Sequence, residues 1–104
     1  MKTDMLSVYG EAWIEDQADL RANYDEAFCA FVGRVARECD PEDEAIWAYW
    51  ETENDDGTPC LHAGHFKDPD EIVIEYYDGL TEEDLDGNSV PSGYIHIPVE
   101  AVPR

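Results

Sequence analysis

The chain has 104 residues, of which 26 are Asp or Glu and six are Lys or Arg, for a formal net charge of −20 at pH 7. Its 43% hydrophobic and 12% aromatic residues are interleaved with the acids. That is too apolar for a disordered acidic tail and enough for one modest core, so a single compact acidic domain is expected over residues 1–104. Direct nucleic-acid binding and binding to anionic membranes are both excluded, because each needs clustered Lys and Arg.

Residues 5–14 alternate, with Leu6, Val8, Gly10, Ala12 and Ile14 against Ser7, Tyr9, Glu11 and Trp13, which predicts a strand. Leu20, Tyr24, Ala27, Phe28, Phe31 and Val35 then recur in steps of three and four, the stripe of one amphipathic helix. Asn23 and Glu26 have the form of a capping box, with Asp16 or Asp19 as an earlier start, and Pro41 marks the stop. After Pro41 the period changes to two. Glu44–Glu51 sets Ile46, Ala48 and Trp50 against Trp47 and Tyr49, and Asn54-Asp55-Asp56-Gly57 is a turn into a second arm, Pro59–Phe66. Glu71–Tyr77 places Ile72, Ile74 and Tyr76 inward and Val73, Glu75 and Tyr77 outward. A polar connection over Asp78–Pro91 leads to Tyr94–Val99, whose Pro98 argues for an edge strand. The expected fold is α+β: an antiparallel four- to five-stranded sheet in the order β-α-β-β-β-β along the chain, with one amphipathic helix packed on one face. The other face is expected to show Trp47, Tyr49, Tyr77 and Tyr94 among carboxylates.

Motifs for chemistry are weak. Cys60, His62 and His65 are zinc-type ligands, but on a strand Cys60 and His62 face one side and His65 the other, so no metal site is expected. Glu82–Ser89 resembles a calcium loop, yet Gly93 stands where the twelfth position needs a bidentate Glu. A reactive thiolate needs a positive neighbourhood, and this chain supplies a negative one. No phosphate-cradling glycine loop is present. No catalytic residue, no enzyme activity and no cofactor are expected. No signal-length or membrane-length apolar run occurs, and Cys29, Cys39 and Cys60 are an odd number at wide spacing. A cytoplasmic protein with free thiols is expected, in the host cytoplasm if the gene is phage-borne.

The acids remain. From Glu38 to Pro103 there are nineteen Asp or Glu and one cation, Lys67. They cluster at Asp40, Glu42, Asp43 and Glu44; at Glu53, Asp55 and Asp56; at Asp68, Asp70, Glu71 and Glu75; and at Asp78, Glu82, Glu83, Asp84 and Asp86. These residues are the expected partner-binding set, and the expected partner is a basic nucleic-acid-binding protein or complex. Their crowding is also expected to raise some folded-state carboxyl pKa values, which would favour the fold as pH falls.

In size, charge and clusters such as Asp40-Pro-Glu-Asp-Glu44, Glu53-Asn-Asp-Asp56, Asp68-Pro-Asp-Glu71 and Glu82-Glu-Asp-Leu-Asp86, the chain resembles small acidic inhibitors of phages and mobile elements. These are the anti-CRISPR and anti-restriction proteins, several of which imitate DNA. The resemblance implies a DNA-mimic inhibitor of a host defence system, acting by protein–protein interaction as a monomer or homodimer. A CRISPR effector is the first expected target and a restriction enzyme the second. Two other readings share the composition: an immunity protein against a basic nuclease toxin, and a salt-adapted domain, for which the low lysine content (Lys2 and Lys67 only) speaks.

Overall fold

The computed structural model describes residues 10–43 and 45–103. Five strands form one sheet: β1 (Gly10–Trp13), β2 (Ala48–Glu53), β3 (Pro59–Asp68), β4 (Glu71–Asp78) and β5 (Gly93–Pro98). Their order across the sheet is β1-β5-β4-β3-β2. From β2 to β5 the chain meanders through antiparallel neighbours, while β1 lies parallel to β5. The sheet is therefore mixed, not purely antiparallel. Alternation along a strand fixes which side chains share a face, but carries no signal for the direction of the neighbouring strand. The amino-terminal half of the expected first strand lies outside the described residues.

Two helices replace the expected single one: α1 (Gln17–Asn23) and α2 (Glu26–Glu38). Each begins at an aspartate whose carboxylate accepts from a backbone N–H three residues on, Asp16 from Asp19 and Asp25 from Phe28, both at 2.8 Å. Asp25 with Tyr24 in an extended conformation breaks the stripe in two. The expected Asn23–Glu26 capping box does not form, because the Asn23 amide donates back to the Asp19 carbonyl at 2.9 Å. A short carboxylate at Asp25 satisfies the first-turn amides of α2 more directly. Both helices still bury the predicted face through Leu20, Tyr24, Phe28, Phe31 and Val35, whereas Ala27 is exposed.

This helical layer joins Ala48, Cys60, Phe66, Ile72, Ile74, Tyr76, Ile95 and Ile97 in one core. Close approach depends on Gly64 in β3, where a Cβ would stand 2.6 Å from Val35 Cγ2 and 2.9 Å from Ile74 Cδ1. Pro98 misleads about the edge: β5 is an internal strand between β1 and β4. Its pairing with β1 runs only from Gly93 to His96, and Ile14 N–H donates to the His96 carbonyl, so Pro98 sits past the last rung on that side. At the opposite edge Arg34 donates to the Tyr49 carbonyl of β2, which blunts that strand against further pairing.

Candidate functional site

The topology sorts the expected acidic residues into two groups at opposite ends of the sheet. Asp40, Glu42 and Asp43 precede β2, and Asp68 and Asp70 turn β3 into β4 at the same end. Glu53, Asp55, Asp56, Asp78, Glu82, Glu83, Asp84 and Asp86 lie at the other end, where β2 turns into β3 and β4 leads to β5. Glu44 lies outside the described residues. Many of the aspartates also shape their own turns. Carboxylates of Asp40, Asp43, Asp56, Asp68 and Asp86 each accept from a backbone N–H two residues on, at 2.7–3.0 Å. Asp84 accepts from the Thr81 amide and hydroxyl. These bonds hold the charges in place, and they explain why Asp and not Glu occupies the bends. Glu42, Glu53, Asp70, Glu82 and Glu83 are exposed and carry no such duty.

Glu71 begins β4 at the Asp68 end, and Glu75 lies in mid-strand. They stand on the sheet face that the helices leave uncovered, as the alternation predicts. The register builds a row across this face: Trp13 beside His96, His96 beside Val73, and Val73 beside His65. Trp47 extends it, its indole 3.9 Å from the His65 ring, and Trp13 stacks on His96 at 4.4 Å with only 16° between the planes. A second row holds Glu11, Tyr94, Glu75, Ala63 and Tyr49. The His96 Nδ1 meets the Glu71 carboxylate at 2.6 Å, and its Nε2 is 3.4 Å from Glu11. The Tyr77 hydroxyl donates to Glu75 at 2.6 Å, and His65 Nε2 lies 3.7 Å from the same carboxylate. These contacts hold the Glu75 pKa below the ordinary carboxylate value, with the His65 contact the largest cause and burial opposing it. Asp56 is likewise lowered, by its Thr58 hydrogen bonds. The carboxyl pKa values that move thus move down, opposite to the expectation from crowding. Local hydrogen-bond donors outweigh the repulsion of well-solvated neighbours.

Half of this face is not open. The connection after β4 folds back so that Leu80 and Leu85 cover Leu61, Ala63 and Tyr77, with Trp47 and Tyr49 beside them. The Glu82 amide donates to the Glu51 carboxylate at 2.8 Å and pins the flap to β2. Tyr77 is buried in consequence, and burial followed by the Glu75 contact pushes its phenol pKa far up. Among the described residues no segment crosses the half over β4, β5 and β1, where Trp13 is 57% exposed and Tyr94 half-buried above a buried Val73 and His96.

The zinc-type residues are divided as their parity requires: Cys60 and His62 point into the core and His65 to the opposite face. Burial, reinforced by Asp78, pushes the Cys60 thiol up to about 12, so it is a protonated core thiol. Among the described residues no group of three or more His, Cys, Asp or Glu side chains is placed to hold a metal ion. Nor, among them, is any helix long and apolar enough to cross a membrane.

The row of Trp13, His96 and His65 with Glu11 was missed by sequence reasoning. Its only sequence signal is that Glu11 and Trp13 alternate onto one face; strand pairing is what brings the histidines beside them. No family model, curated protein or solved structure matches the chain.

Proposed function

We propose that this protein is an acidic inhibitor that occupies the nucleic-acid-binding surface of a basic protein or complex and stands in for duplex DNA. The observation that carries the reading is the fixed placement of its carboxylates at both ends of one sheet. β3 alone runs ten residues from one acidic end to the other, about 30 Å at ~3.3 Å per residue. Duplex DNA of that length carries about 18 phosphates, and the chain carries a net −20. Backbone-anchored aspartates lose little freedom when cations engage them, which favours binding. The class resemblance puts a CRISPR effector first among targets and a restriction enzyme second.

The test is inhibition of duplex binding and cleavage by such enzymes, compared across charge-reversal variants. Glu53→Lys with Glu83→Lys at one end, and Glu42→Lys with Asp70→Lys at the other, leave the anchored turn aspartates in place. At least one pair should weaken inhibition by tenfold or more, about 1.4 kcal/mol, without lowering the melting temperature. Because a few contacts dominate most interfaces, the two ends should contribute unequally. Full inhibition by both variants would contradict the proposal.

A further inference from the structure

We infer that the uncovered half of the open sheet face is an arginine-binding surface, built by Trp13, Tyr94 and His96 with Glu11 and Glu71. The inference rests on the proposed basic partner and names which of its side chains is read and where. Trp13 has one indole face stacked on His96 and is 57% exposed. A large aromatic exposed beside carboxylates suits a planar cation, which gains stacking and charge pairing together.

His96 supplies a second, independent observation. It is 5% exposed, and its Nε2 is buried without a hydrogen-bond partner. In the tautomer that donates from Nδ1 to Glu71, 2.6 Å away, Nε2 is an acceptor. The nearest carboxylate oxygen is Glu11 Oε1 at 3.4 Å, a further acceptor, and the Glu11 side chain is 64% exposed. Two acceptors side by side need a donor, and a buried unpaired polar atom is costly. A guanidinium presents five N–H groups in a rigid fork and lies flat on an indole, so one arginine meets both needs. A lysine ammonium offers a point charge and no stacking plane. Charge complementarity is the rest of the argument: Glu11, Glu71 and Glu75 stand on this face of a chain with net charge −20.

The test uses an alternating arginine–glycine peptide and its lysine counterpart as probes, titrated into the whole protein at about 0.15 M salt and followed by side-chain NMR and calorimetry. The Trp13 indole and Tyr94 ring resonances should move first. Trp13→Ala and Glu11→Gln should each weaken arginine-peptide binding about tenfold, and the lysine peptide should bind about tenfold more weakly than the arginine peptide. Glu26→Gln removes the same charge as Glu11→Gln from the helical layer on the other side of the sheet, outside the partner-binding acids, and should change affinity less than about twofold. The inference is overturned if Glu11→Gln and Glu26→Gln weaken binding alike, if the two peptides bind equally, or if the arginine peptide does not bind. Should Trp13→Ala fail to fold, the Glu11/Glu26 comparison still decides. Failure of the functional reading looks different: the peptide would bind at Trp13 while the protein displaced duplex from no target. If duplex is displaced but the peptide does not bind at Trp13, the arginine surface falls and the functional reading stands.

Discussion

His62 is the residue at which chemistry and stability meet most sharply. It is fully buried among Phe28, Phe31, Trp50 and Tyr76, with neither ring nitrogen in a hydrogen bond. Burial pushes its pKa down to about 4, with only the Trp50 backbone and Asp25 pulling the other way. The unfolded chain, with histidine near 6.5, therefore binds the extra proton first as pH falls. Stability is lost progressively from about pH 6.5 down to about 4, to a total of about 3 kcal/mol, and about 2 of that by pH 5. Glu75 acts in the same direction: its depressed pKa contributes stability above the ordinary carboxylate range that is lost as pH falls through it. Urea unfolding at pH 7 and pH 5 checks this, with His62→Leu as the control whose pH dependence should be much flatter. A parent protein more stable at pH 5 than at pH 7 would show that the crowded carboxylates dominate after all. Gly64 offers a second residue-scale check. A methyl group there meets Val35 and Ile74 side chains at 2.6 and 2.9 Å, so Gly64→Ala should cost about 1–3 kcal/mol through overpacking, measured by the same unfolding curves.

At the scale of elements, periodicity carried the faces and little else. The inward row of β4, the helical stripe and the separation of His65 from Cys60 and His62 were all legible, because side-chain parity is a local property. The stripe and the inward row meet in one core, so Phe28→Ala and Ile74→Ala should each cost about 2–5 kcal/mol in equilibrium unfolding. Three things were not legible. The parallel pairing of β1 with β5 depends on how the chain returns across the helical layer. The break at Asp25 depends on a capping bond that competes with continuing the helix. Pro98 signals an edge only where a neighbour would need its N–H, and β1 stops short of it. The candidate site was legible as a set of acids and not as a place. Clusters in sequence proved to be two ends of a sheet, and the aromatic–histidine row between them exists only through register.

At the scale of the whole molecule, the excess negative charge opposes folding and favours association with cations, and salt separates the two effects. Screening over about 10 Å at 0.1 M ionic strength reduces self-repulsion. Added KCl should therefore raise the melting temperature at pH 7 while weakening binding to a basic target steeply, as salt weakens that target's grip on duplex DNA. A melting temperature that falls with KCl would mean that attractive pairs outweigh the repulsion. The central claim, that this surface takes the place of duplex DNA, is tested most directly by the apparent Kd of a target nuclease for labelled duplex as this protein is added. Mutual exclusion predicts that the Kd rises in proportion to free protein without a plateau, and that duplex weakens the protein's own binding equally. A plateau, or a complex holding target, duplex and protein together, would contradict it.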